Sequence, residues 1–504
     1  MRRGSGTGLE SRPPDATLKV GPTGRLDPLP LSRIFPRVPI PDDIRRILGR
    51  PAPTAGSLDR KLSPRVETPA FASVPEDPVE VLPEYRQVEE LLAAEVPLTF
   101  VTGGAGTGKS TFIRWLVSRR PGDVVVLAPT GVAALNVGGM TIHSFCRFPP
   151  AIVRASDIKP AADRRLASRM KLLVLDEVSM LRPDLLDAID VFFRRSRDRD
   201  VPFGGLPVVL VGDLFQLPPV TTREEAPALR EMGYASDWFF SARCIRETPL
   251  ASVILTRIFR QKDPTFAELL NEMRVAANVE KVTRVLNTRV VAPGGDGPLN
   301  LTLTATNATA DERNRRALER LPGPERLYDG VIVGDFGMGQ ARLPSPVDLR
   351  LRVGSQVMFT KNDDARRFVN GTLGSVVAMH DEGVTVLLDE GEKVEVRPAS
   401  WERYRYSYNT TTDQIDREVV ARYTQLPLML AWAVTIHKAQ GKTLTRATVD
   451  LGRGAFASGQ AYVAVSRVRS LEDLRLAAPL RLGDVRCDAV VKEFYREIGG
   501  GVGD

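Results

Sequence analysis

Cysteine and histidine are scarce in this chain, and both are too scattered to build the sites that they usually form. The 504 residues include three of each. Cys146, Cys244 and Cys487 form no Cys-x-x-Cys pair, which argues against a disulfide framework or a zinc site and favours a reducing compartment. The histidines are spread too widely along the chain for a histidine-based metal centre.

Long hydrophobic runs are also missing. The longest, near Leu426–Val434, is well short of the about 20 apolar residues that a membrane-spanning helix needs. The first residues, Met1–Ser5, lack the apolar core of a secretory signal. We therefore expect no membrane segment and a cytoplasmic location.

Basic charge and, near the amino terminus, proline are abundant. The net charge of +7 favours a polyanionic partner, although a solvated surface with surplus arginine explains it equally well. Residues 1–79 hold many of the 38 prolines, and proline-rich segments such as Pro28–Pro30 and Arg37–Pro41 cannot propagate a helix. We predict a disordered extension there, with one short helix at Asp42–Leu48. A tether, a docking arm for a protein partner and an inert extension are equally compatible with it.

From about residue 80 the sequence alternates apolar strands with amphipathic helices. In Pro183–Arg195, apolar residues recur on one face of a helix. Alternating strands and helices predict an α/β fold with a parallel sheet. The strand candidates are Leu98–Thr102, Val124–Ala128, Leu172–Leu175 and Val208–Val211.

After about residue 350 the pattern changes to short strands separated by turn signals. Gln356–Phe359, Gly374–Ala378 and Gly383–Leu388 are strand candidates, and Asn370-Gly371 is a hairpin signal. This segment predicts a small antiparallel barrel inserted in the chain. The α/β pattern returns after about residue 425.

A phosphate-binding loop is the strongest motif. Residues 103–110 read Gly-Gly-Ala-Gly-Thr-Gly-Lys-Ser, between an apolar strand and a predicted helix. Glycines let backbone N–H groups surround phosphate oxygens, and the helix amino terminus adds its positive dipole. Lys109 is expected to reach the β- and γ-phosphates of a nucleoside triphosphate and Ser110 to hold Mg²⁺.

Acidic and amide side chains follow two further apolar strands. Asp176 is expected to bind Mg²⁺, and Glu177 to polarise the attacking water. Taken alone, this pair is explained as well by a solvated turn; its position downstream of the phosphate loop favours catalysis. Gln216, after Val208–Asp213, is placed to sense a γ-phosphate, but an ordinary turn before Pro218-Pro219 explains it equally well.

Two basic clusters and two repeated triplets complete the set. Most lone arginines are surface charges, yet a nucleotide at a domain edge often needs an arginine from another domain, and Arg260 and Arg467 are the candidates.

Thr-Ile-His occurs at residues 141–143 and 435–437, once in each α/β region. A capping or core histidine is the ordinary explanation; contacts to nucleic-acid phosphates are the functional one.

In order, these motifs resemble those of superfamily 1 (subclass B) DNA helicases. The resemblance is strongest to the bacterial PIF-type enzymes, relatives of RecD-like and Dda-like helicases. The matching segments lie between about residues 82 and 480 and read V-T-G-G-A-G-T-G-K-S-T, A-P-T-G-V-A-A-L-N, T-I-H-S-F, L-D-E-V-S-M, V-G-D-L-F-Q-L-P-P-V, F-R-Q, T-I-H-K-A-Q-G-K-T and G-Q-A-Y-V-A-V-S-R.

The resemblance implies two RecA-like parallel-sheet P-loop domains with ATP between them. The expected segments are an extension at 1–79, a first domain at 80–245 with a wedge subdomain at 146–170, a second domain at 246–350 and 425–485, an SH3-type β-barrel at 351–424 and a tail at 486–504. The expected cofactors are ATP and Mg²⁺.

The resemblance also assigns residues to the site. Catalytic roles fall to Lys109, Glu177, Gln216, Arg260 and Arg467, and the metal to Ser110 and Asp176. The nucleotide would contact Gln87, Gly103, Gly104, Ala105, Gly106, Thr107, Gly108, Lys109, Ser110, Thr111, Gln440 and Gly441. Single-stranded DNA would contact Thr130, His143, Phe145, Thr435 and His437.

The function implied is an ATP-dependent 5′→3′ DNA helicase acting on single-stranded, duplex, forked or G-quadruplex DNA. DNA repair, recombination and telomere maintenance are the roles typical of the family, and a nucleoid-associated monomer is expected. The alternatives are a DNA-stimulated ATPase that translocates without separating strands, a nucleotide-switched nucleic-acid-binding module, and an enzyme acting on RNA.

Overall fold

The computed structural model describes residues 80–149, 151–261, 263–291, 300–334, 336, 343–363, 365, 367–389, 391–412 and 414–499. The predicted extension at residues 1–79, including Asp42–Leu48, lies outside these residues. No helix in the described ranges is long and apolar enough to cross a membrane.

The first α/β domain is centred on a sheet of six parallel strands. They are β1 (Leu98–Gly103), β2 (Val124–Ala128), β3 (Met140–Thr141), β4 (Leu172–Leu175), β5 (Val208–Gly212) and β6 (Leu250–Leu255). The spatial order is β3-β2-β4-β5-β1-β6. The four strands predicted from apolar runs are all present. Their residues are buried on both faces, as expected for a parallel sheet covered by helices.

Helices cover this sheet and connect its strands. They are α1 (Pro83–Ala93), α2 (Lys109–Ser118), α3 (Gly131–Asn136), α4 (Ile142–Cys146), α5 (Arg164–Arg169), α6 (Pro183–Arg197), α7 (Glu225–Glu231) and α8 (Arg243–Glu247). The predicted helix at 183–195 is α6. It begins at a proline, whose missing N–H costs nothing in the first turn, and it buries the face that carries Leu186, Ile189 and Phe193.

The predicted boundary of the first domain at residue 245 is too early. β6 begins at Leu250 and pairs in parallel with β1 over six residues, from Leu98↔Leu250 to Gly103↔Leu255. The sixth strand therefore belongs to the first sheet. Residues 256–263 form the connection to the second domain.

The second α/β domain has a smaller parallel sheet. Its strands are β7 (Leu301–Thr304), β18 (Ala433–Thr435), β19 (Ala447–Asp450) and β20 (Leu474–Leu476). Their spatial order is β18-β7-β19-β20. Its helices are α9 (Pro264–Arg274), α10 (Val279–Asn287), α11 (Asn307–Glu319), α12 (Ile436–Ala439) and α13 (Gln460–Val465). One apolar core joins strands on both sides of the insertion, so the chain leaves this domain and returns to it.

The inserted segment is antiparallel, as predicted. The strands are β8 (Arg326–Asp329), β9 (Val331–Val333), β10 (Asp348–Leu351), β11 (Gln356–Phe359), β12 (Leu373–His380), β13 (Gly383–Leu388), β14 (Lys393–Val396), β15 (Ala399–Asn409), β16 (Gln414–Gln425) and β17 (Leu428–Leu430). Five of them pair in the order β14-β13-β12-β11-β17, and β8 pairs with β10.

The predicted limits of the insert, 351 and 424, are too narrow. Tyr328 and Leu349, from β8 and β10, share the apolar core of the five-stranded sheet, and β17 pairs with β11. Pairing and packing thus extend the insert from about 326 to 430. An SH3-type barrel remains a prediction.

A long hairpin that was not predicted separately projects from the insert to the first domain. β15 and β16 pair over eleven positions, from Ala399↔Gln425 to Asn409↔Gln414. The hydroxyl of Tyr406 accepts a hydrogen bond from the backbone N–H of Val126 at 3.3 Å. Arg417 donates to the carbonyl of Gly138 at 2.8 Å. The hairpin therefore contacts the sheet edge where β3 is only two residues long.

The segment predicted as a wedge, residues 146–170, contains a 3₁₀ turn at Ala155–Asp157 and the short helix α5. Arg195 and Arg197 of α6 donate to carbonyls in it, among them Ile158 and Ala167. It is therefore fixed to the first domain, and its role as a wedge remains a prediction.

The segment predicted as a tail, 486–504, instead contains helix α14 (Ala489–Glu497). Its Phe494 ring stacks on Phe240 at 4.3 Å, and Asp488 accepts a hydrogen bond from Trp238 at 2.9 Å. Apolar residues on one helix face explain this docking, because Val491 and Tyr495 are buried in the core of the first domain.

Candidate active site at the boundary of the two α/β domains

The phosphate loop connects β1 to α2, as its sequence predicts. Gly106 and Gly108 have φ angles of +81° and +87°, which L side chains rarely adopt. A Cβ on Gly106 would lie 2.5 Å from the Cβ of Arg260. Both glycines are therefore required by the turn, and Gly106 also by the close approach of the connection between the domains.

Lys109 is folded back over its own loop. Its Nζ donates to the carbonyls of Gly103 at 2.8 Å and Gly104 at 3.0 Å. Burial lowers the pKa of Lys109, while the negative charges of Asp213 and Glu177 oppose that change. The ammonium group thus lies in the electrostatic field of two carboxylates that follow neighbouring strands.

Asp176 and Glu177 follow β4, at the edge of the sheet where the phosphate loop lies. Burial raises the pKa of Asp176 to about 8, and the charge of Glu177 adds to this. Burial also raises the pKa of Glu177, against the opposing charges of Lys109 and Arg467. Glu177 has a φ of +50°, a strained conformation for a non-glycine residue. Strain and an unfavourable buried charge at one residue are typical of a functional position.

Gln440 connects the two domains at this carboxylate. Its Nε2 donates to Glu177 Oε2 and to Gln216 Oε1, both at 3.3 Å. The Nε2 of Gln216 donates in turn to Asp213 at 3.2 Å. The predicted water-polarising carboxylate, the predicted γ-phosphate sensor and Gln440 are therefore brought together.

Arg260 is half-buried and Arg467 is fully buried beside the site. Arg260 donates to the Thr443 hydroxyl at 3.0 Å and the Ser466 carbonyl at 3.2 Å. Arg467, 1% exposed, donates to the Val463 carbonyl at 2.8 Å. Burial lowers the pKa of Arg467, and the neighbouring charge of Arg260 lowers it further. Within the described chain both guanidinium groups donate to neutral oxygens, so neither positive charge is neutralised by a hydrogen-bonded carboxylate.

The two Thr-Ile-His triplets have the same local structure in the two domains. Thr141 and Thr435 cap α4 and α12, their hydroxyls accepting from the N–H groups of Ser144 and Lys438. The isoleucines, Ile142 and Ile436, are fully buried. The histidine is in each case the second helical residue, and burial lowers the pKa of His437. Thr130 likewise caps α3.

Comparison with known proteins agrees with this geometry. The model of the PIF1-like helicase family matches residues 84–275. The ATP-dependent DNA helicase Pif1 of Bdellovibrio bacteriovorus is 33% identical over 438 residues, which cover 85% of this chain and 94% of that protein. The chain belongs to the PIF1-like helicase family.

Two solved structures of Pif1 from Bacteroides show the same architecture as this PIF1-like chain. The complex with ADP-AlF4 has a TM-score of 0.77 at 34% identity, covering 83% of this chain and 97% of that one. The complex with single-stranded DNA has a TM-score of 0.61 at 34% identity, covering 82% and 96%. Both likenesses span the two α/β domains and the insert.

The site of this PIF1-like chain fits magnesium and a nucleoside triphosphate. Asp176 offers a buried carboxylate, a ligand type that Mg²⁺ prefers, and Ser110 is exposed at the start of α2. Arg260, Arg467 and Lys109 supply three positive charges for phosphate oxygens. The nucleotide contacts of the remaining loop residues, Thr107 and Thr111, stay predictions.

Two residues that the motifs did not single out contact the phosphate loop. Tyr85 donates to the carbonyl of Gly108 at 3.3 Å. Phe259 is 46% exposed and does not pack in an apolar core. Its backbone N–H donates to the carbonyl of Gly106. Its ring lies 3.5 Å from the position that a Cβ on Gly108 would occupy. Gln87 lies exposed on α1, and its predicted adenine contact remains a prediction. The sequence signal that could have identified Phe259 is its position in the Ile-Phe-Arg-Gln segment, next to Arg260.

A second buried cluster joins the domains beside the loop. Arg274 of α9 forms an ion pair with Asp213 at 3.1 Å, and its guanidinium lies 4.4 Å from the Phe215 ring centroid. Tyr462 of α13 accepts from the backbone N–H of Ala105 at 2.8 Å and donates to Asp213 at 3.4 Å. Tyr462 belongs to the Gln-Ala-Tyr-Val motif, but Arg274, the last residue of α9, carries no recognisable sequence signal.

Phe145 joins the first domain to the insert. Its ring packs against Phe192 at 6.0 Å, Phe193 at 6.2 Å and Tyr406 of the hairpin at 6.2 Å. The side chain is only partly buried, and its contact with DNA stays a prediction.

Proposed function

We propose that this chain couples ATP hydrolysis between its two α/β domains to 5′→3′ movement along single-stranded DNA and to separation of duplex DNA. As a PIF1-like family member it is an ATP-dependent DNA helicase. To this activity we add the roles of individual residues, the 5′→3′ polarity and the residues that contact DNA.

The observation that carries the proposal is the hydrogen-bonded group formed by Gln440, Glu177 and Gln216. Gln440 belongs to the second domain and the other two to the first. A catalytic carboxylate that is held by the opposite domain is correctly placed only when the domains are together. Closure and hydrolysis are then linked, which is what a motor requires.

Each side chain then has a stated task. Glu177 orients and deprotonates the attacking water, while Lys109, Arg260 and Arg467 stabilise negative charge on the transferring phosphoryl group. Asp176 and Ser110 hold Mg²⁺, which supplies charge neutralisation at the phosphates when bound. Gln216 and Gln440 report the state of the γ-phosphate to the second domain.

The track for DNA is proposed from the repeated triplets. The equivalent histidines of the two triplets, His143 on the first domain and His437 on the second, support alternating grip of one strand. Thr130 on the first domain and Thr435 on the second are the further proposed contacts. The Bacteroides relative whose structure is described as bound to single-stranded DNA supports the same substrate. The net charge of +7 predicts binding that weakens with salt.

Finer points of the proposal extend beyond the site. Forked and G-quadruplex DNA are the proposed structured substrates, with genome maintenance as the biological setting. A monomer associated with the nucleoid in the cytoplasm is the proposed form, and residues 1–79 are a proposed arm for a protein partner.

The proposal is tested by ATPase and fork-unwinding assays on three proteins. Lys109→Ala should abolish DNA-stimulated hydrolysis and keep much of the single-strand binding, because the lysine contacts the phosphates and not the DNA. Arg467→Ala should keep ATP binding and lose turnover. Lys281→Ala, an exposed lysine on α10, is the matched control. Hydrolysis retained by Lys109→Ala contradicts the phosphate-loop assignment, and hydrolysis without unwinding by the wild type favours the translocase alternative.

A further inference from the structure

The Asn370-Gly371 turn of the insert contacts the second α/β domain close to the active site. The turn joins β11 to β12 and is fixed within the insert, because the N–H of Gly371 donates to Phe359 at 2.9 Å and that of Asn370 to Asn362 at 2.8 Å. Gly371 has a φ of +105°, and a Cβ there would lie 2.9 Å from the carbonyl oxygen of Thr443. The turn therefore lies directly on the backbone of the second domain.

Asn370 makes the polar contact of this junction. Its Oδ1 accepts a hydrogen bond from Lys442 Nζ at 2.8 Å. Lys442 is 8% exposed, and burial together with the charge of Lys438 lowers its pKa to about 8. A buried ammonium group needs such an acceptor, since an unpaired polar group away from water is costly.

The opposite side of the same short segment holds the two arginines. The carbonyl of Lys442 accepts from Arg467 at 3.4 Å, and the hydroxyl of Thr443 accepts from Arg260 at 3.0 Å. The next residue, Leu444, donates its N–H to the Arg467 carbonyl at 2.9 Å. Residues 442–444 thus lie between the turn of the insert and both guanidinium groups.

We propose that Asn370 is a positioning residue for ATP hydrolysis, which acts by holding Lys442 and thereby the segment on which Arg260 and Arg467 rest. The inference rests on the proposed roles of the two arginines. It gives the insert a part in the chemistry: displacement of the Asn370-Gly371 turn shifts residues 442–444 and moves both guanidinium groups away from the phosphate. Gln440, two residues before Lys442, is carried by the same segment.

The test compares four variants with the wild type in steady-state ATPase assays. Asn370→Ala removes the acceptor, Asn370→Asp keeps an oxygen that can accept from Lys442, and a double variant combines Asn370→Ala with Lys442→Met. Asn409→Ala is the matched control, because that residue belongs to the same insert and, among the described residues, its side chain bonds within its own hairpin, at Asp416, Thr411 and Thr412.

We expect Asn370→Ala to lower kcat by about tenfold, because small displacements of catalytic groups are expensive in rate. The KM for ATP should change by no more than about twofold, since the phosphate loop is untouched. Asn370→Asp should keep most of the activity, and adding Lys442→Met to Asn370→Ala should lower kcat no further, because both changes remove one contact. Asn370→Ala should also lower the melting temperature, because it leaves the buried Lys442 ammonium group without its acceptor, and adding Lys442→Met should restore the melting temperature without restoring kcat.

The inference is wrong if Asn370→Ala has the kcat of the wild type, or if Asn370→Asp loses as much activity as Asn370→Ala. A kcat that recovers together with the melting temperature when Lys442→Met is added also contradicts it, because the residue would then be merely structural. Absence of ATPase activity from the wild type would overturn the proposed function itself. An active wild type whose kcat is unchanged by Asn370→Ala would overturn only the inference about Asn370.

Discussion

Gln440 and Glu177 belong to different α/β domains, and the amide of Gln440 donates to the carboxylate of Glu177 at 3.3 Å. The same amide nitrogen reaches Gln216 at the same distance. Because these three side chains are parts of one hydrogen-bonded group, the second domain orients the carboxylate that we propose as the activator of water. In the proposed mechanism this contact links hydrolysis to the approach of the two domains.

Glu177→Gln should separate binding from hydrolysis. The amide fills the same space but cannot take a proton from water, so kcat should fall by about 10²–10⁴ while nucleotide affinity stays near that of the wild type. Single-turnover hydrolysis and nucleotide-binding titrations measure the two quantities. Glu224→Gln, at an exposed position, is the control. A variant that hydrolyses ATP at the wild-type rate would remove Glu177 from the proposed mechanism.

Gly459→Ala should prevent the domains from closing. Gly459 caps α13 with a φ of +71°, and a Cβ there would lie 2.3 Å from the carbonyl oxygen of Phe215 and 2.4 Å from that of Gln216. Backbone atoms cannot yield to that clash, so kcat should fall by at least about tenfold.

Gly452→Ala provides the matched control for this prediction. Gly452 has a similar φ, +60°, but a Cβ there would meet nothing within 4 Å. It should lose only about 1 kcal/mol of folding stability from backbone strain and keep its ATPase rate. Equal activities of the two variants would show that close contact at Gly459 is not required for turnover.

Arg274→Met should destabilise the protein strongly. The substitution leaves Asp213 buried without its partner, and breaking a buried ion pair in this way costs about 3–5 kcal/mol. Arg315→Met, which breaks exposed pairs on α11, should change the stability far less, because water screens exposed charges. Urea denaturation measures both. Adding Asp213→Asn to Arg274→Met should recover part of the loss; no recovery would mean that the pairing of charges is not the cause.

Tyr406→Phe should loosen the hairpin from the first domain. The phenol oxygen is the acceptor for the N–H of Val126, and both residues are buried. Without that oxygen the buried N–H of Val126 loses its acceptor, which should lower the free energy of unfolding by about 1–3 kcal/mol. Tyr404→Phe is the control, because that hydroxyl donates to Glu402 in a partly exposed setting. Equal denaturation midpoints for the two variants would contradict the assigned contact.

The sheet strands and the phosphate site were predictable because their signals are local. An apolar run that ends in Asp176-Glu177 identifies both a strand and the polar edge of the sheet, and Gly106 and Gly108 are required by the turn itself. Gln440 has no such local signal, and its predicted position near the nucleotide came from the resemblance alone.

The domain limits and the second buried cluster depend on contacts between distant residues. Leu250–Leu255 reads as an apolar strand, but only its pairing with β1 assigns it to the first sheet. Arg274 resembles any helical arginine until the fold places Asp213 and Phe215 beside it. The hairpin did carry a local signal, since Tyr404, Tyr406 and Tyr408 alternate as strand residues do.

The most direct test of the account is unwinding of duplex DNA that carries a single-stranded tail at either the 5′ or the 3′ end. The wild type with Mg²⁺ and ATP should separate the 5′-tailed duplex and leave the 3′-tailed duplex paired, while Glu177→Gln should bind both and separate neither. Separation of the 3′-tailed duplex alone, or separation by Glu177→Gln at the wild-type rate, would contradict the proposed coupling of hydrolysis to 5′→3′ movement.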